Sequence, residues 1–173
     1  MVVPEHEASA FIQGYTQVMV QIYGPVPAKP KKGLLEILAA ARASYVTDRS
    51  LLEEALRQLK SESIVIAPEV VSAIKSLEVK KWIYLKDTSA FSIFIDPSTK
   101  AAYAVFGLTD RIRNIIGGSG AVVETGLLRY QGRYVTDGIV TSVIWLGRTY
   151  KKSFIEAFAD LRAQGAFHKT YLC

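Results

Sequence analysis

The sequence predicts an α+β protein, with N-terminal helices packed on a mainly antiparallel five-strand meander and a C-terminal helix. Three observations lead there. Apolar residues recur at three- and four-residue spacing up to about residue 78. Runs rich in β-branched and aromatic residues, separated by short turns, then continue to about residue 146. One further helical period closes the chain. Strands joined by turns this short pair antiparallel, because a parallel pair needs a long crossover.

The first helix is marked by Ala8, Phe11, Ile12, Tyr15, Val18, Met19 and Ile22, an apolar stripe that stops at Gly24-Pro25-Val26-Pro27-Ala28-Lys29-Pro30. A second helix starts near Lys32, with Leu34, Leu35, Leu38, Ala41 and Tyr45 on one side. Ser50 and Glu53 have the spacing of a capping box at the head of a third, carrying Leu52, Ala55, Leu56 and Leu59. Pro68 opens a fourth, where a missing N–H costs nothing, and Val70, Val71, Ile74 and Leu77 form its buried face.

Strands are expected at 81–86, 91–96 and 102–108, the last two joined by the turn Asp96-Pro97-Ser98-Thr99-Lys100. A helical turn over 109–116 stops at Gly117-Gly118. Two long strands, 121–130 and 133–146, meet at Gln131-Gly132, and Asp137-Gly138 reads as a bulge in the second. The last helix spans 149–164, before Gly165.

The chain reads as a single domain, 1–173: an N-terminal helix with its proline-rich connection (1–30), a helical part (31–78) and a basic sheet part with the C-terminal helix (79–173). With 173 residues, 50% apolar and 21% charged, it has core enough to fold without a metal or disulfide staple, and its composition is not that of a disordered chain. Cys173 is the one cysteine. No window approaches the roughly 20 uninterrupted apolar residues of a membrane span, and the first residues lack a signal-peptide pattern. The expectation is a cytoplasmic protein that does not enter membranes.

Charge is unevenly spread. Up to residue 78 there are eight Lys/Arg against nine Asp/Glu, and from 79 onward thirteen against seven. Such an asymmetry points to an anionic partner for the sheet part, a nucleic acid or a phosphorylated molecule. Arg148, Thr149, Lys151 and Lys152 crowd the start of the last helix, where unpaired N–H groups favour an anion and disfavour bare cations. They form a candidate anion site. Arg129, Tyr130, Arg133 and Tyr134 flank the Gln131-Gly132 tip, so that each face of the ribbon carries one arginine and one tyrosine. That pairing suits single-stranded nucleic acid, guanidinium on phosphate and ring on base. The run Gly117-Gly118-Ser119-Gly120 follows a helical turn, the wrong order for a phosphate cradle, and is read as a flexible connection.

Catalytic patterns are poor. The two histidines, His6 and His168, are far apart in sequence, and no ligand spacing indicates a metal or other cofactor. The expected function is therefore binding, not chemistry. Three alternatives stay open. The first helix offers Phe11, Tyr15, Met19 and Ile22 for docking on a protein partner or a second copy. Helices near 33–45, 50–60 and 68–77 before the 81–96 hairpin follow the order of a winged helix, although the third helix is poor in cations. A small enzyme would have to gather Asp110, Asp137 or Glu124 around His168.

Overall fold

The computed structural model describes residues 1–25 and 33–171. Residues 26–30 of the proline-rich connection, the helix start expected near Lys32, and Cys173 lie outside the described residues. The chain forms two compact units: His6–Lys75, and Met1–Glu5 together with Ser76 onward.

The first unit is helical: α1 (Glu5–Tyr23), α2 (Leu34–Thr47), α3 (Leu51–Ser61) and α4 (Pro68–Lys75). The apolar stripe of α1 is consumed inside the fold, since Phe11, Tyr15 and Met19 are at most 3% exposed. A Cβ added at Gly14 would come within 3.0 Å of Val70 of α4, so the two helices approach closely there. The expected docking face of α1 is thus corrected: Phe11, Tyr15 and Met19 are core, and Ile22 alone of the four is half-buried. Tyr45 on α2 donates its buried hydroxyl to the Ile74 carbonyl at 3.2 Å.

Two local expectations fail in this unit. Leu34 and Leu35 are 55% and 66% exposed, because the α2 stripe turns inward only from Ile37. Ser50 heads α3 without a side-chain cap. Asp48 takes its place, accepting from the Ser50 amide at 2.9 Å and hydroxyl at 2.6 Å, while Glu53 pairs with Lys75 at 2.9 Å. The Ser50 hydroxyl is drawn back to the Asp48 carboxylate and so does not cap the amides of the first turn.

The second unit holds β1 (Glu78–Asp87), β2 (Ser92–Ile95), β3 (Ala102–Phe106), α5 (Ile112–Ile116), β4 (Ala121–Tyr130), β5 (Arg133–Trp145), α6 (Arg148–Ala163) and β6 (Phe167–His168). Consecutive strands β1-β2-β3 and β4-β5 pair antiparallel, and β1 also pairs antiparallel with β4. β3 then meets β5 in parallel, at Val105↔Tyr134 and Phe106↔Val135. The ring β1-β2-β3-β5-β4 closes on itself, so the sheet is a five-stranded barrel, with β6 added beside β3. This is an α+β fold with a mainly antiparallel mixed sheet. The parallel pair has the long crossover it requires, through α5 and β4.

Alternation along the strands builds two layers. Trp82, Tyr84, Phe94, Val105 and Val123 point inside, where Ile112 of α5 joins them. Ile83, Leu85, Ile93 and Ile95 point outward under Leu161, Phe154 and Phe158 of α6. Full burial of each such side chain contributes roughly 1.5–3 kcal/mol. The β1–β2 hairpin is therefore no wing: β1 has a strand on both sides and apolar cover on both faces, which removes the winged-helix alternative.

The bulge is where the sequence put it. Between Thr125↔Val140 and Leu127↔Thr136 the register slips, with Gly138 at φ +77°. Asp137, 5% exposed, accepts through Oδ1 from the amides of Gly126 and Ile139 at 3.3 and 3.1 Å. Its role is structural.

Candidate functional site

Gln131 and Gly132 have φ of +50° and +74°, the two left-handed residues of a tight hairpin turn. The register follows: Tyr130 stands opposite Arg133 and Arg129 opposite Tyr134. The two faces of this ribbon have different fates. Tyr130 is 2% exposed and belongs to the core, so its ring is closed to any base, a correction to the expected site. Arg133 on that face is half-buried. Arg129 and Tyr134 lie on the other side, at one mouth of the barrel.

That mouth gathers residues from β1, β3, β4, β5 and β6. The Tyr103 ring of β3 is the hub. It meets Trp82 of β1 edge-on at 5.8 Å, Tyr134 of β5 at 4.9 Å and His168 of β6 at 5.4 Å between centroids. Tyr171 extends the row from Tyr134 at 6.0 Å. Rings in these offset and edge-on arrangements attract one another by about 0.5–1.5 kcal/mol per pair beyond their burial. Trp82 is fully buried and donates its indole N–H to the Thr125 carbonyl at 3.1 Å. Tyr103, Tyr134 and Tyr171 are half-buried, and His168 is exposed.

Charge at the mouth is arranged around this row. The Lys80 ammonium lies 2.9 Å from Glu78, 3.0 Å from Asp96 and 5.0 Å from the Trp82 ring. Its bond to Glu78, followed by that to Asp96, holds it above the ordinary lysine range despite partial burial. Burial pushes Asp96 up, but the Ser98 hydroxyl and amide, with Lys80, overcome this and leave its carboxyl below the usual range. Burial, then the carboxylates of Asp96 and Glu78, raise the Tyr103 phenol, which stays neutral. Lys80 is thus spent inside the mouth. Arg129 is exposed and is held in place through its backbone, whose N–H donates to Ser76 Oγ at 2.8 Å. Lys100, in the β2–β3 turn, is exposed, whereas the Lys169 ammonium lies 5.9 Å over the Phe167 ring in the outer layer.

Between Ser76, Glu78, Tyr103, Arg129 and Tyr134 lies a cavity of only about 30 Å³, room for no more than a few waters. A small-molecule site needs roughly 300–1,000 Å³. A ligand here lies across the rings and does not enter the barrel. The helical unit has a larger hollow, about 600 Å³, near Ile22, Leu51 and Ala55. Among the described residues its polar lining is closed on itself, with Gln21 donating to Gln58 and Gln58 to Glu54, and the charged one, Glu54, is acidic.

No family model, curated protein or solved structure matches the chain.

The other expected site lies at the start of α6. Gly147 precedes α6 and Lys151 sits in its first turn, but the Lys151 stem folds over Gly120 and its ammonium donates to the Ser119 carbonyl at 3.5 Å. Lys152 lies 3.9 Å from Glu156. Arg148 and Thr149 are exposed at the terminus. The glycine run is packed: Gly117 ends α5 at φ +83°, and a Cβ at Gly118 would meet the Trp145 ring at 2.8 Å. Of the acid–base set, Asp137 serves the bulge and the His168 ring lies tilted against Tyr103. No group of three or more His, Cys, Asp or Glu fit to hold a metal occurs among the described residues. None of the described helices is long and apolar enough to cross a membrane.

Lys80, Asp96, Tyr103 and Tyr171 are not marked as site residues by the sequence, and His168 is marked only as an acid–base candidate. The alternation Glu78-Lys80-Trp82 is the signal that was present: three residues on one side of one strand, two of them charged beside an indole.

Proposed function

We propose that the barrel unit binds single-stranded nucleic acid across its mouth. Bases would stack on the open rings of Tyr134, His168 and Tyr171, while Arg129 and Lys100 meet phosphates. The observation that carries this reading is the row Tyr103–Tyr134–Tyr171 beside the exposed Arg129, over a hollow too small for a discrete ligand. Ring and guanidinium together hold single strands with little regard to sequence. Two further facts support it. The unit has thirteen Lys/Arg against nine Asp/Glu, and the helical unit eight against seven. Five-stranded barrels of Greek-key type also include the oligonucleotide- and oligosaccharide-binding folds, an architectural analogy that adds weight without naming a ligand.

The test is fluorescence anisotropy with labelled single- and double-stranded oligonucleotides over a range of salt. Preferential binding of single strands that weakens steeply with salt is the expected result. Equal affinity for duplex, or no binding at low salt, overturns the proposal.

A further inference from the structure

The mouth carries acid as well as base. Glu78 and Asp96 stand 2.9 and 3.0 Å from Lys80, two carboxylates for one ammonium. A surface that met phosphates alone would be weakened by that surplus. Asp96 has both oxygens engaged: Oδ2 accepts from Lys80 at 3.0 Å, and Oδ1 from the Ser98 amide and hydroxyl at 2.8 and 2.5 Å. Glu78 does not. Lys80 takes its Oε2, while Oε1 has no hydrogen-bond partner among the described residues, and the side chain is 52% exposed.

Strand register brings this carboxylate to the open ring. Glu78 stands opposite Leu127 of β4, Arg129 follows two residues on along the same face, and Tyr134 stands opposite Arg129. These three side chains, with Ser76 and Tyr103, surround the small cavity. A base stacked on Tyr134 with its phosphate on Arg129 therefore has an anionic acceptor beside its edge. An ionised carboxylate accepts and never donates, and Oε2 keeps a second lone pair beside Lys80. Thymine and uracil offer one N–H between two carbonyl oxygens; adenine and cytosine offer one amino group beside a bare ring nitrogen. Guanine presents two neighbouring donors, N1–H and the 2-amino group, which match the two oxygens of a single carboxylate.

Resting on the single-strand reading above, we infer that Glu78 selects guanine as the base stacked on Tyr134. The experiment is an anisotropy titration of the full chain with labelled oligothymidylate and with the same oligomer carrying one central guanine, hypoxanthine, adenine or cytosine. It is repeated for Glu78→Gln and Glu78→Ala, whose folding is checked by circular dichroism. The wild type should prefer the guanine oligomer to plain oligothymidylate by about tenfold or more, the discrimination of one bidentate contact. Hypoxanthine, which keeps N1–H and lacks the 2-amino group, should fall between them. Both variants should lose the guanine preference yet bind oligothymidylate at least as well, since a negative charge is gone. A wild type that binds all these oligomers alike, or hypoxanthine as tightly as guanine, overturns the inference and leaves the single-strand reading standing. So does a guanine preference that both variants retain. No binding of any oligomer overturns both.

Discussion

The Asp137 carboxylate lies directly over Gly126. A Cβ built on Gly126 would stand 2.4 Å from Asp137 Oδ2 and 2.6 Å from Leu77 Cδ1, so the bulge closes only because position 126 has no side chain. Gly126→Ala should destabilise the barrel by about 1–3 kcal/mol, the usual cost of forcing atoms into a filled core. Both tryptophans, Trp82 and Trp145, belong to this unit, so urea unfolding followed by tryptophan fluorescence reports on it. An unchanged midpoint would refute the crowding.

The Tyr84 hydroxyl donates to Asp87 Oδ1 at 2.8 Å, beside the Ser92 hydroxyl at 2.7 Å. Burial, then the bond to Asp87, holds the phenol well above the ordinary tyrosine range. Among the described residues Asp87 Oδ2 is buried with no hydrogen-bond partner, so Oδ1 has the more need of both donors. Tyr84→Phe should cost about 1.5–3 kcal/mol, the range for a bond to a charged acceptor. The same fluorescence-detected titration measures it, and a loss under half a kilocalorie would contradict the assignment.

The Lys80–Asp96 pair sets a window of pH. The Asp96 carboxyl is depressed in the fold, so its contribution is complete above the unfolded value of about 3.9 and is lost as pH falls through the lower folded value. The Lys80 ammonium is raised, so its contribution is complete below about 10.4 and is lost as pH climbs through the higher folded value. Asp96→Asn should flatten the acid limb of a plot of Tm against pH, and Lys80→Met the alkaline limb. Lys80 is 40% exposed, so solvent screening keeps the effect to about 1 kcal/mol or less. If either variant shifts the curve uniformly at all pH, the pair is not its source.

For oligonucleotide binding, the two kinds of contact should separate. Arg129→Ala should lower the salt dependence by about 0.7 in log–log slope, one phosphate contact on a single strand. Tyr134→Ala should leave the slope unchanged and weaken affinity by about 1–3 kcal/mol, the loss of one stacked base. Titrations at several salt concentrations distinguish them. A tyrosine variant that changes the slope, or an arginine variant that does not, would reassign the contacts.

Local signals in the sequence located most elements, because period and turn chemistry act over a few residues. The β4 limits, the Gln131-Gly132 turn and the Asp137-Gly138 bulge all follow from such signals. What escaped is non-local. Nothing near Val105 announces that it lies beside Tyr134, so the closed ring was invisible, and with it the mouth. The same gap explains the corrected residues: whether Tyr130 faces solvent, or Phe11 a partner, depends on what packs there from elsewhere in the chain. β6, two residues long, has too few positions to show an alternation. The Ser50 cap failed for a different reason, competition from Asp48, which a single-motif reading does not weigh.

The parallel contact of β3 with β5 also orders events during synthesis. Residues 6–75 are complete before β1 begins, so the helical unit has all its contacts early and at short sequence separation. The barrel unit stays an open sheet until Tyr134 and Val135 emerge to join Val105 and Phe106. Until then β3 has a bare side, and the β1-β2-β3 hairpins wait with their apolar interior uncovered. Long-range closure of this kind is slow and exposes sticky surface. The ribosome-bound chain between about residues 106 and 135 is accordingly the stage at which a chaperone would matter most.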